Sequence, residues 1–140
     1  MKVIKYLLLL VVPAAMVGML FVFIVVSGST EIRTYTESDY FSYYAFTDED
    51  IRNAPRISRN YAFEYVPGDG YAPSNAIIFN DTSDATPLKM YLITLGYEQQ
   101  KRKEGGQDVW NKQTEIEEAT FYVWVNKEAK QVHLTKIFHY

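Results

Sequence analysis

The chain of 140 residues has room for one domain of modest size, and it contains no cysteine, which excludes disulfides, thiol catalysis and a lipid-modified N-terminal cysteine. Its net charge is −3, from 14 Lys and Arg against 17 Asp and Glu. Lys2 and Lys5 precede an apolar run; without them 12 positive residues face 17 negative ones, a net −5 that suits neither nucleic acid nor anionic lipid as a partner.

After MKVIKY comes LLLLVVPAAMVGMLFVFIVV, Leu7 to Val26, with no charged or strongly polar side chain. Twenty helical residues rise about 30 Å, the thickness of a hydrocarbon core. A cleaved signal peptide would carry a shorter apolar run, although Val26-Ser27-Gly28 would serve as a cleavage sequence. An uncleaved signal anchor is the better reading. It divides the chain into a short cytoplasmic tail (1–6), a transmembrane span (7–26), a linker (27–34) and an extracytoplasmic domain (35–140). Both lysines lie before the span, so the N-terminus is expected inside and the domain outside, periplasmic or extracellular. Pro13 is tolerable in a membrane helix, and Ala14 with Gly18 has a spacing that lets two helices approach, leaving the oligomeric state open.

In the exported part, DYFSYYAF alternates in a way that predicts a strand over Tyr40–Phe46. TDEDIRNAP predicts one or two helical turns: Thr47 as N-cap, Asp48, Glu49 and Asp50 in the first turn, and Pro55 ending the segment. Phe46 and Ile51 have the spacing of a hydrophobic staple, with Asp50 at the capping-box position. NYAFEYV and NAIIFN read as strands joined by a loop that starts at Pro67-Gly68 and leaves Tyr71 exposed. TSDATPLKMYLITLGY is the clearest helix of the domain. Asp84 or Thr86 caps it, Leu88, Tyr91, Leu92 and Leu95 form its apolar stripe, and Gly96 ends it. Two hairpins follow, a polar one around Gly105-Gly106 that suits a sheet edge and a stronger one turning over Asn126–Lys130. The sum predicts an α+β domain, a small mostly antiparallel sheet packed on one main helix.

Catalytic chemistry finds little support. The only histidines are His133, inside a predicted strand, and His139, next to last, and neither belongs to a nucleophile motif. Zinc ligands do not cluster, and Asn80–Asp84 lacks the glycine and distal glutamate of a calcium loop. No metal or other cofactor is expected. An acid pair such as Glu64 with Asp69 could act on glycans, but sequence supplies no spacing for it. Binding remains. Three stretches qualify as candidate partner surfaces: Asp48, Glu49 and Asp50; the loop carrying Asp69 and Tyr71; and the polar hairpin with Lys101, Arg102, Lys103 and Trp110.

In architecture alone, the chain resembles small bacterial inner-membrane proteins that display one domain in the periplasm, among them immunity proteins against secreted toxins. The resemblance implies a non-catalytic, membrane-anchored protein that neutralises an envelope-acting toxin. The alternative is a structural or assembly subunit of an envelope complex. Either way the expected partner is a protein. The acidic balance is compatible with a basic one but does not demand it.

Overall fold

The computed structural model describes residues 1–27, 31–113 and 119–139, which form two compact units, Met1–Thr30 and Glu31–Tyr140. The first contains α1 (Lys2–Ser27), whose stretch Val3–Val25, with a mean hydropathy of 2.9 over 18 residues, is long and apolar enough to cross a membrane. Pro13 lies within it without ending it.

The second unit is α+β. In chain order it comprises β1 (Arg33–Tyr35), α2 (Tyr40–Phe46), α3 (Glu49–Arg52), β2 (Tyr61–Val66), β3 (Ser74–Asn80), α4 (Thr86–Thr94), β4 (Glu98–Glu104), β5 (Gln107–Asn111), β6 (Ala119–Asn126) and β7 (Gln131–Phe138). The strands form one antiparallel sheet in the order β1-β2-β3-β7-β6-β5-β4. Directly opposed residues share a face, so the register defines the core. One row runs Phe63, Ile77, Leu134, Val123; the next runs Tyr61, Phe79, Val132, Val125. Leu88 and Leu92 of α4 and Ile51 of α3 are fully buried in the same cluster.

The expected strands β2 and β3, both hairpins and the main helix are present where the periodicity puts them. The stripe of α4 faces the core as expected, Leu88 and Leu92 completely and Tyr91 and Leu95 in part. Its C-terminus closes as a Schellman motif. Tyr97 N–H donates to Leu92 O at 3.0 Å and Gly96 N–H to Ile93 O at 3.0 Å, with Gly96 at φ +85°. At its other end Ala85 is the N-cap residue, and the Asp84 carboxylate accepts from Thr86 N–H at 3.0 Å. The Gly105-Gly106 turn has positive φ at both residues, as a two-residue type I′ hairpin requires.

Three expectations fail, the first being the cap of α4, which is Ala85 with no side-chain cap bond and neither Asp84 nor Thr86. Residues 40–46 form a helix and not a strand. Asp39 caps it: its carboxylate accepts from Ser42 N–H at 3.2 Å and from the Ser42 hydroxyl at 2.7 Å. That local bond satisfies an orphan donor at the helix start and decides against the extended form. The front strand is instead β1, which begins inside the segment expected as linker; residues 28–30 of that segment lie outside the described ones.

Gly96→Ala places a side chain at φ +85° and should lower stability by about 1 kcal/mol. A denaturation midpoint unchanged from the parent chain would show that this cap does not hold α4 in register.

Candidate functional site

The acids of the first candidate surface turn inward. Asp48, not Thr47, is the N-cap of α3, and its carboxylate accepts from Asp50 N–H at 2.9 Å. Thr47 is buried as the C-cap residue of α2, its hydroxyl 3.0 Å from the Tyr35 phenol. With the cap moved by one residue, Phe46 and Ile51 lose the staple spacing and Asp50 leaves the capping-box position. The reason is Lys136. Its ammonium, projecting from the core face of β7, lies 2.9 Å from Asp48 Oδ1 and 2.7 Å from Asp50 Oδ2. Only 11% of its side chain is exposed. Glu49 stays exposed beside the pair.

The clasp extends through hydrogen bonds. Asp48 N–H donates to Asn75 Oδ1 at 2.7 Å; Asn75 Nδ2 donates to Glu64 O at 2.9 Å and reaches Tyr35 Oη at 3.4 Å. The Tyr91 hydroxyl donates to Asp50 O at 2.7 Å, joining α4 to the same cluster. Burial pulls the Lys136 ammonium toward deprotonation, and the hydrogen bonds and charges of Asp50 and Asp48 outweigh it, holding the amine above its ordinary range. Burial, then the charges of Asp50 and Asp48, pushes the Tyr91 phenol up to about 12. An amine held protonated is a tie, and it does not work as a nucleophile or base near neutral pH.

Above the clasp, α2 presents an aromatic outer face. Tyr43 and Phe46 pack inward on Phe63 and Tyr65, at 5.3 and 5.2 Å between centroids. Tyr40, Phe41 and Tyr44 remain exposed. An open cleft of about 260 Å³ lies beside the helix, lined by Ala45, Phe46, Thr47, Asp48, Tyr65, Pro73 and Phe138. The loop from Pro67 to Pro73 borders it. As expected from sequence, this loop exposes Asp69 and Tyr71, the latter to 87%.

The third surface divides. Residues 101–106 are exposed along the edge strand β4 and its turn; Lys101 lies outward, Arg102 pairs with Glu104 at 3.3 Å, and Lys103 reaches across to Asp108. A register irregularity between Gln99 and Lys103 bends this edge. Trp110, expected on the same surface, is buried in the core at 3% exposure. It opposes Phe121 on the covered face, because β5 is interior to the sheet and β4 forms the edge on that side. Asp108, on the same face of β5, is buried and gripped by Lys89 at 2.7 Å and Lys103 at 3.1 Å. Burial would raise its carboxyl, and these two lysines draw it below the ordinary carboxylate range. A cleft of about 430 Å³ opens here, bounded by Asp84, Lys89, Lys103, Gly106, Asp108 and Lys127, among others.

The remaining candidates are ordinary. His133 packs edge-on to Trp124 at 4.8 Å and bonds Gln131 at 2.9 Å, with burial lowering its pKa; His139 bonds Thr120 at 2.8 Å. Among the described residues no group of three or more His, Asp or Glu is placed to hold a metal ion. Glu64 and Asp69 occupy β2 and the loop after it, the first half-buried and the second exposed. The sequence reading missed Lys136 and the aromatic face of α2. For Lys136 a signal exists: it continues the core phase of Val132 and Leu134.

Comparison with family models, curated proteins and solved structures finds no match to this chain.

Lys136→Met leaves two carboxylates facing an apolar stem and should cost about 3 kcal/mol, measured by chemical denaturation. Asp48→Asn keeps the cap and should cost less than Asp48→Ala. A loss below about 1 kcal/mol for Lys136→Met would show an exposed pair of ordinary strength. The pH dependence has a defined sign. The folded state holds the Lys136 and Tyr91 protons more tightly than the unfolded chain, whose values are 10.5 and 10.0. Their contribution is therefore complete below pH 10.0 and is lost as pH rises toward about 12. Stability followed across that window should fall less steeply in Lys136→Met than in the parent.

Proposed function

We propose that the chain is a single-span membrane protein whose folded domain lies outside the cytoplasmic membrane and binds a protein partner without transforming it. The apolar length of α1 and the position of Lys2 and Lys5 support the anchor and its orientation. The observation that carries the binding reading is β4. An edge strand offers unpaired backbone groups to another chain, and here they lie beside the exposed Lys101 and Arg102. Charges on an edge deter indiscriminate pairing, and they also select a partner segment of opposite sign. The domain as a whole is acidic, but an acidic segment of the partner fits this edge.

The sharpest form of the reading is an immunity-type role, in which the domain neutralises a toxin acting in the envelope. Tethering supports it, because an anchored inhibitor stays concentrated at the membrane that such a toxin must reach. Met90 and Ile93, exposed on the outer side of α4, and the cleft around Asp108 extend the area available to a partner.

Deleting the gene should sensitise cells to toxin-bearing competitors, and the parent chain should restore survival. A chain carrying Lys101→Glu with Arg102→Glu should fold with an unchanged melting curve yet fail to restore it. Lys103 is kept because it holds Asp108. Unchanged survival on deletion would sink the neutralisation reading. If replacing Leu7–Val26 by an unrelated span abolishes function, the chain is an assembly subunit whose anchor makes specific contacts.

A further inference from the structure

The register defines the end of the sheet at which the chain enters the domain. Arg33 opposes Tyr65, and Val66 opposes Ser74, so the start of β1 and the loop carrying Tyr71 lie at the same end. Seven residues separate Val25 from Arg33, and at about 3.5 Å per residue they reach at most about 30 Å. On the anchored reading, the tether enters the domain at this end.

That end is also where the domain exposes aromatic surface. Outside α1, the exposed large apolar side chains among the described residues are Ile32, Tyr40, Phe41, Tyr44, Tyr71, Met90 and Ile93. The first five come from the residue before β1, from α2 and from the Tyr71 loop. Part of this surface is linked through the packed layer beneath it. The Arg33 guanidinium lies 5.1 Å from the Phe46 ring, Phe41 packs edge-on to Phe46 at 6.1 Å, and Phe46 stacks on Tyr65, from which the loop departs. Tyrosine suits the boundary between acyl chains and water, having an apolar ring and a hydrogen-bonding tip. Arg33 and Arg52, the latter 5.8 Å from the Tyr44 ring, supply cations beside these rings.

We propose that the domain rests on its own bilayer through this rim, Ile32, Phe41, Tyr44 and Tyr71, with the rings in the headgroup layer. The proposal rests on the anchored reading above. Glu31, Glu49 and Asp69 are exposed near the rim, so the lipid it fits is zwitterionic and not anionic. One consequence is orientation. The β4–β5 and β6–β7 turns lie at the opposite end of the sheet, since each antiparallel neighbour reverses direction from β3 through β7, β6 and β5. Lys103, Gly106 and Lys127 around the Asp108 cleft then point away from the membrane.

The absence of cysteine allows a direct test on the full chain in phosphatidylcholine bilayers. Single variants Tyr44→Cys, Tyr71→Cys, Lys127→Cys and Val17→Cys each carry one nitroxide, and collision with oxygen and with a water-soluble nickel chelate gives its depth. Labels at Tyr44 and Tyr71 should show a several-fold loss of nickel accessibility relative to Lys127, with a gain in oxygen accessibility, while Val17 lies deepest. Tyr44 and Tyr71 labels as open to nickel as Lys127, with Val17 still deep, would overturn the docked domain and leave the anchor standing. A Val17 label open to nickel would instead refute the anchor, and the docking with it. Mutual broadening of Tyr44 labels that disappears on dilution into empty lipid would mean that a second copy covers this face, which also overturns the proposal.

Discussion

The short helix α3 at the front of this domain is held by one buried ammonium. Lys136 stands in the core row between Asn75 and Phe121, where an unpaired cation would be intolerable, and Asp48 and Asp50 make it tolerable. The two acids come from 86 and 88 residues earlier in the chain. A helix of four residues has no stability of its own, so α3 exists because its first turn is held against the sheet. Its cap, its backbone bond to Asn75 and its buried Ile51 all converge on that attachment. α2 immediately precedes it and shares the Tyr35–Thr47 bond, so the aromatic face is positioned by the same clasp. A domain without disulfides has few other ways to fix so short a segment.

How much of this is legible in the sequence depends on whether the deciding interaction is local. β2, β3, α4 and both hairpins follow from hydrophobic period, turn glycines and caps, all of which act within a few residues. Tyr40–Phe46 shows the limit of period alone. Seven residues rich in aromatics alternate acceptably, but Asp39 three positions before Ser42 is a helix-start signal, and the hydrogen bonds formed there prevail. Trp110 shows a second limit. QDVWN is polar enough to suggest an edge, and only the pairing of β5 with β6 places Asp108 and Trp110 over the core. Strand order is a long-range fact. Lys136 combines both cases: its phase marks it as inward, whereas its partners could not be named from sequence.

Net charge likewise misleads when read as a surface property. Several of the 17 acids are engaged internally: Asp48 and Asp50 by Lys136, Asp108 by Lys89 and Lys103, and Glu37 by Arg56 at 2.7 Å. Lys101 and Arg102 stay exposed on β4, Arg102 paired there with exposed Glu104 at 3.3 Å. A partner therefore meets a field that varies from one face to another, and a domain of net −5 can still offer a basic edge.

The charge states of the buried clusters support the proposed binding role. Active sites hold ionisable groups near the operating pH by setting burial against charge. The two most buried ionic clusters here do the reverse. At Lys136 the carboxylates overcome burial and keep the ammonium protonated; at Asp108 the lysines overcome burial and keep the carboxylate ionised. Each cluster is locked in its charged form far from neutrality, which favours rigidity over proton transfer. Rigid support is what an exposed surface needs if its aromatic rings and its basic edge are to meet a partner with little loss of conformational freedom. The chemistry inside the domain is thus consistent with a function carried on its outside.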